Sequence, residues 1–445
     1  MILSECIYIR KTKELMNMLS SVTEVYNKTL YLLRKSYFEQ LEKGEKIKLP
    51  TNKEVYDTIT KEECWKTADC VDTYAKNFAM SSAVQNFYNY FKARKSYNKN
   101  PKRFKAVPKI PNYVKDRYVP VTLDKTRLGK GRGKKHKLGN YQFGIPKSKC
   151  VISLSKRFEK TQIRNVSFNQ KNGKICVLIS YEVSEMERKA SASSIGLDVG
   201  VNNLAAITSN DKSFSYIVKG GPLKSINQYY NKKRAELQGE LEVCNHKKRS
   251  KRLERLTEKR NRKVKDYMHK ASRKIIDLCV ENDISKLVVG HNNGWKQEVY
   301  HGRRNNQNFV SIPFNHFIQM LQYKGELEGI EVLVVEESYT SKVDHLVFEE
   351  MVHHEKYQGK RVKRGLFRSS CGKALNADVN GAIGMLRKAE AIPDAQLLGL
   401  RDRGDVVSPR VLKIQPLKNL FDAVYSVDEN SYNRSSTSPD RQSIK

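Results

Sequence analysis

The apolar positions of this chain change period several times, and each change marks an element. Leu15, Met18, Leu19, Val22, Tyr26, Leu30, Leu33, Tyr37 and Leu41 recur every three or four residues. That spacing predicts a helix from Thr12, with Gly44 placed to end it. A second helix is expected near Asn52. A third runs from about Val71, with Tyr74, Phe78, Val84, Phe87 and Phe91 on one core-facing stripe. Residues 7–11 suggest a lone strand, and short strands follow at 117–123, 141–146, 149–155, 161–168 and 174–184. Lys171-Asn172-Gly173-Lys174 is a tight hairpin signal, and the group reads as a small barrel. Past residue 190, Ile195–Val199, Leu204–Thr208 and Phe214–Val218 read as three turn-linked strands. Helix over 222–283, strand Lys286–Gly290, a helix from Pro313 to Gly329, strand Ile330–Val335 and a helix capped by Asn376 complete the order. From about Ala391 the pattern weakens, and the polar stretch Asp428 to Lys445 is expected to be disordered.

Composition adds a partner to this outline. At 445 residues, two or three domains are expected. The formal net charge is +35, a self-repulsion that a bound polyanion relieves, and nucleic acid is the polyanion that fits best. No apolar run reaches transmembrane length, and MILSECIYIRKTKE holds no signal-peptide core, so a cytoplasmic protein with no membrane partner is expected. The cations are concentrated. KARKSYNKNPKRFKAVPKIPNY from Lys92, the Gly-punctuated loop 125–139 and the helical stretch 246–274 are each one-sidedly basic. Each reads either as a solvated linker or face, or as a nucleic-acid contact, and the one-sidedness favours contact. The eight cysteines form no CxxC pair, so reduced thiols and no zinc-ribbon spacing are expected.

Candidate chemistry sits on carboxylates at element ends. Asp198 lies inside the apolar strand of SSIGLDVGVNNLAAITSN, residues 193–210, and admits two readings. It caps the following turn, or it holds a cation or other partner. The element order after residue 194 is RNase H-like. In such a fold, acids converge on two divalent metals that activate water and stabilise the leaving oxygen, and Mg²⁺ suits such oxygen ligands. Asp378, in the first turn of the last helix, is well placed to join Asp198 there.

The segments KTLYLLRK (28–35), GLDVGVNNLAAIT, VVGHNNGWKQE (288–298), RRNNQNFVSIPF (303–314), EESYTSK (336–342) and KRGLFRSSCGKALNADVNGAIGMLRK (363–388) together resemble the TnpB family. Its members are transposon-encoded, RNA-guided DNA endonucleases related to the type V CRISPR effectors, and the resemblance runs to about residue 415. It implies an α/β multidomain fold. A wedge-like β-barrel domain would take 1–12 and 92–190, and a helical recognition lobe 13–91. A RuvC nuclease domain would take 191–392, with a basic helical insertion at 222–283 and a degenerate zinc-ribbon region at 343–375, followed by a tail, 393–445. It also implies a guide RNA from the transposon end, a double-stranded DNA target with a short flanking motif, and a nucleoid-associated protein of a prokaryotic host.

Carried over by residue, Asp198 matches the first RuvC acid and Asp378 the third. The usual middle acid is replaced by Gly290, in VVGHNN. Some members carry that acid before the YTS motif, where Glu337 stands, with Glu336 as the alternative since strand neighbours face opposite sides. Asp198, Glu337 and Asp378 are therefore the expected metal ligands for Mg²⁺, with Mn²⁺ able to substitute. A nuclease-dead, RNA-guided DNA-binding protein is the alternative that Gly290 raises. The zinc-ribbon region keeps only Cys371, with His345, His353 and His354 nearby at spacings that fit no standard site, so zinc is not expected and a metal-free hairpin is. Lys296, Gln297, Arg303 and Arg304 follow the fourth strand as candidate phosphate contacts or a solvated loop.

Overall fold

A computed structural model of the chain describes all residues except 116, 130–137, 157, 172, 185, 246–249, 292–310 and 415–445. It divides into two units, Met1–Ser184 and Glu185–Lys445.

In the first unit, strand β1 (Ile2–Ile9) leads into helix α1 (Lys13–Glu42). The Thr12 side chain accepts from Leu15 N at 3.3 Å, and Gly44 turns the chain away at φ +67°. Helices α2 (Asn52–Ile59), α3 (Glu63–Lys66) and α4 (Thr73–Lys99) follow. The α1 stripe is buried from Leu15 to Leu33 and then surfaces, leaving Leu41 exposed. On α4 the expected stripe holds at Val84 and Phe87 and is corrected at Phe78. Ala75, Ala79, Met80, Ala83, Val84 and Phe87 are buried and Phe78 is exposed, because small residues let α4 lie close to α1. Strands β2 (Val121–Asp124), β3 (Gln142–Gly144), β4 (Val151–Ser153), β5 (Ile163–Lys171) and β6 (Lys174–Glu182) complete the unit. They form a four-stranded antiparallel sheet, order β1-β6-β5-β2, and a two-stranded β3-β4 ladder. The hairpin between β5 and β6 turns at Gly173, φ +77°. One core runs from the α1 and α4 faces into the inner side of the sheet.

The second unit is built on a six-stranded mixed sheet. Strands β7 (Ser194–Val199), β8 (Asn203–Ser209) and β9 (Ser215–Lys219) form an antiparallel meander. Helices α5 (Gly221–Asn245) and α6 (Lys251–Glu281) lead to β10 (Lys286–Gly290), which pairs parallel with β7. Helix α7 (Phe314–Glu326) leads to β11 (Glu331–Val335), parallel to β10. A small antiparallel sheet follows, β12 (Lys360–Lys363), β13 (Leu366–Arg368) and β14 (Ala374–Asn376), and then helix α8 (Ala377–Lys388). Two short helices, α9 (Asp394–Gly399) and α10 (Gly404–Val407), return the chain to β15 (Arg410–Val411), parallel to β9. The large sheet therefore reads β11-β10-β7-β8-β9-β15. Part of the expected tail joins it, although its sequence pattern is weak; the segment past 414 lies outside the described residues.

Strand alternation assigns the two faces of this sheet. Leu197, Val199, Leu287 and Val289 pack with α6 and α7, while Ala206, Ile217 and Val288 pack with Ile383, Met385 and Leu386 of α8. Gly196 and Asp198 share a parity, and so do Val288 and Gly290; the pairing of Gly196 with Val288 puts all four on the α8 face. Among the described residues, no helix is long and apolar enough to cross a membrane.

Candidate active site

Helix α8 lies almost on the backbone of β7, and glycine is what permits it. A Cβ on Gly196 would stand 2.0 Å from the carbonyl oxygen of Ala382. The helix start is set by Asn376, whose side chain accepts from Asp378 N at 3.0 Å and Val379 N at 3.3 Å. This puts Asp378 in the first turn, at the positive end of the helix dipole. A second glycine leaves room beside Asp198: a Cβ on Gly381 would stand 3.0 Å from Asp198 Oδ2.

Beside Gly290, at the end of β10, stands Glu337, two residues past β11. A Cβ on Gly290 would stand 2.7 Å from Cγ of Glu337, so the Glu337 side chain crosses the space that a side chain at 290 would need. Glu336 points elsewhere. It is exposed and accepts a hydrogen bond from Ser338 Oγ at 2.5 Å.

Burial dominates the electrostatics of Asp198 and Glu337. Burial raises the Asp198 pKa well above the ordinary carboxylate range, and the charges of Glu337 and Asp378 raise it further, against the pull of Arg361. Burial pushes Glu337 up to about 7, with Lys388 opposing. Asp378 is held from two sides. Asn203 Nδ2 donates to its Oδ2 at 2.7 Å, and Arg361 Nη2 to its Oδ1 at 3.4 Å. Neither Asn203 nor Arg361 stood out in the sequence. Asn203 reads there as part of a turn, and Arg361 is one cation in the run KRVKR.

Among the described residues, no group of three His, Cys, Asp or Glu is close enough to enclose an ion as it stands. The donor chemistry nonetheless fits a hard divalent cation. Burial and the charges of Glu337 and Asp378 all disfavour the ionised Asp198 carboxylate, and such a cation relieves that. Arg361 supplies part of that positive charge.

The other expected contacts fare differently. Lys296, Gln297, Arg303 and Arg304 lie outside the described residues. In the basic helical insertion, Arg255, Lys259 and Lys263 are exposed at four-residue spacing along α6, so they share one face. In the zinc-ribbon region three strands form where a two-stranded hairpin was expected. His345 is buried, with Nε2 donating to Thr340 O at 2.7 Å and Nδ1 accepting from Arg387 Nη1 at 2.9 Å. Both ring nitrogens are thus committed, and burial pushes its pKa down to about 3. His354 Nε2 bonds Glu350 O at 2.8 Å, and Cys371 is exposed, so these groups do not converge on a metal.

Comparison with known proteins sorts along the same lines. Residues 178–296 match the OrfB_IS605 family, described as "Probable transposase", and residues 314–385 match the Cas12f1-like TNB domain. A TnpB-like protein of Methanocaldococcus jannaschii is 30% identical over 126 residues, 27% of this chain and 43% of that protein. A TnpB-like protein of Acidianus two-tailed virus is 25% identical over 207 residues, 44% of this chain and 42% of its own length. The CRISPR-associated endodeoxyribonuclease Cas12f2 of a Micrarchaeota archaeon is 24% identical over 227 residues, 47% of this chain and 39% of that protein. The matches thus span about two-fifths of the length of these curated relatives. The fold is similar to the protein in a Cas12f1–sgRNA–target DNA complex, with a TM-score of 0.53 at 18% identity over 84% of this chain and 82% of that one.

Proposed function

For a chain that belongs to the TnpB family, we propose the role of an RNA-guided DNA endonuclease that binds a transposon-end guide RNA and hydrolyses target DNA at a RuvC site. The observation that carries this reading is that the charges of Glu337 and Asp378 both act on the buried Asp198 at one end of the large sheet. These three side chains would hold Mg²⁺, with Mn²⁺ able to substitute. The metal, when bound, supplies an activated water and stabilises the leaving oxygen. The chain's own groups do the rest. Asn203 fixes the Asp378 carboxylate, leaving Oδ1 toward Arg361. Arg361 meets negative charge beside Asp378, whether from the carboxylate or from an entering phosphate. Glycine at 196 and 381 brings α8 and Asp198 together without a side chain between them.

In this reading 1–12 with 92–190 form the wedge, 13–91 the recognition lobe and 191–392 the RuvC domain, whose sheet the first part of the 393–445 tail extends through β15. Guide RNA is the resident polyanion, and double-stranded DNA with a short flanking motif is the target. Lys296, Gln297, Arg303 and Arg304 would meet phosphate near the site, and α6 would lie along a nucleic-acid backbone through Arg255, Lys259 and Lys263. The protein would work in the cytoplasm at the nucleoid.

The test is to co-purify the protein with its expressed RNA, sequence that RNA, and challenge the complex with a matched target carrying a randomised flank. Mg²⁺-dependent cleavage is expected. Asp198→Ala and Asp378→Ala should each abolish it and still retain RNA. Normal cutting by either variant would sink the assignment. The absence of an acid at Gly290 favours one rival, a nuclease-dead regulator, and target binding without nicking in Mg²⁺ or Mn²⁺ would establish it.

A further inference from the structure

The zinc that this family's ribbon region implies has no ligand set here, yet the region is ordered around two buried charges. Asp344 is 0% exposed and Glu349 4%. Carboxylates are seldom buried so fully unless their oxygens are satisfied. Here they are, and almost wholly by backbone N–H groups. Asp344 Oδ1 accepts from Leu346 N at 3.2 Å, and its Oδ2 from Ser370 N at 2.7 Å and Ser370 Oγ at 3.3 Å. Glu349 Oε2 accepts from Asp344 N at 2.6 Å, and its Oε1 from Gln358 N at 2.7 Å.

The partners lie on two different segments at one end of the small sheet, where Lys360 pairs with Arg368 and Arg368 with Ala374. Ser370 belongs to the turn between β13 and β14, closed by Ser369 N to Lys373 O at 2.9 Å. Gln358 stands two residues before β12. The segment 344–349 is thereby tied to the β13–β14 turn through one carboxylate and to the adjacent entrance of β12 through the other. A metal gripping two turns makes the same kind of cross-link. Arg387 of α8 fixes the segment from below, donating from Nη1 to Glu349 O at 2.9 Å and from Nη2 to Phe348 O at 3.3 Å.

The link continues to the acids. A Cβ on Gly359 would stand 2.5 Å from the Phe367 ring and 3.0 Å from Cβ of Asp344, so β12 begins pressed against Asp344. Arg361, two residues on, pairs in register with Phe367 and reaches Asp378 Oδ1 at 3.4 Å.

We propose that Asp344, with Glu349, takes the cross-linking place of a structural zinc and is a positioning residue that holds Arg361 over Asp378. Only the Mn²⁺ measurement below rests on the site proposed above. The full chain, purified without chelator, is expected to carry well under one zinc per molecule; stoichiometric zinc whose removal unfolds 343–375 overturns the proposal. Asp344→Ala is expected to raise amide hydrogen exchange at 358–372 at least tenfold while β7–β9 stay protected. Asp344→Asn, which keeps an acceptor oxygen, should recover part of that protection and guards against a variant that simply misfolds. Unchanged exchange in Asp344→Ala overturns the proposal.

Mn²⁺ affinity, read by calorimetry without substrate, separates positioning from mere stiffness. Arg361→Ala removes a competing cation and should tighten Mn²⁺ binding about fivefold, the scale of a partly exposed ion pair. Asp344→Ala should tighten it similarly, and should add nothing in an Arg361→Ala background. Full additivity overturns the positioning role. A wild-type chain that binds no Mn²⁺ refutes the site reading instead, and with it Arg361's role there; zinc content and exchange then decide the cross-link alone.

Discussion

Gly290 and Glu337 share one space: a Cβ on the glycine would stand 2.7 Å from the Cγ of the glutamate. A side chain at position 290 and the Glu337 side chain therefore exclude one another. Gly290→Asp should crowd Glu337 and Met385, whose Sδ and Cε lie 2.6 Å from the added Cβ. A loss of about 1–3 kcal/mol is expected by thermal or denaturant unfolding. Adding Glu337→Ala removes one branch of that crowding and should recover part of the loss. Strict additivity of the two changes would show that the side chains do not compete.

Glu337 also sets a pH dependence. Its folded pKa of about 7 lies above the ordinary 4.5, so the folded state holds a proton that the unfolded state releases. Its contribution is fully present below about pH 4.5 and is lost as pH rises through 7. The upper bound is roughly 3 kcal/mol, from 1.36 kcal/mol per pKa unit. Cation-free protein should melt lower at pH 7.5 than at pH 5.5 on this account, and Glu337→Gln should flatten that slope. A slope identical in the variant would refute the shift.

The close seat of α8 on β7 predicts an asymmetry between glycines. Gly196→Ala puts a methyl group 2.0 Å from a backbone oxygen that cannot move without shifting the helix. It should cost about 3 kcal/mol or more. Gly239→Ala in α5 meets nothing within 4 Å and should stabilise by about 0.5–1 kcal/mol through helix propensity. Equal melting temperatures for the two variants would contradict the packing described.

Replacing Arg255, Lys259 and Lys263 together by Gln keeps the helix and removes three exposed cations from one face of α6. If this face follows a nucleic-acid strand, RNA affinity should fall, and the slope of log K against log salt should flatten by about 2, from roughly 0.7 per lost contact. An unchanged slope would assign the face to solvent.

The strand and helix pattern made much of this molecule legible. Thr12 and Gly44 bracket α1 as their chemistry requires, and the order of elements after residue 194 is that of the large sheet. Where the sequence misled, burial depended on distant partners. Leu41 lies past the end of the buried α1 face, and Phe78 falls off the α4 face that buries Ala75, Ala79, Met80, Ala83, Val84 and Phe87. The carboxylates of the site were visible because an acid in an apolar strand or at a capped helix start is conspicuous alone. Arg361, Asn203 and Asp344 were not, because their roles exist only across long sequence separations, in contacts with Asp378 and Ser370. Local periodicity determines which residues form elements and which face is apolar. Only tertiary packing decides which glycine gives way to which side chain, and whether a buried charge meets a metal, a backbone amide or an arginine, since that depends on what the fold brings within a few ångströms.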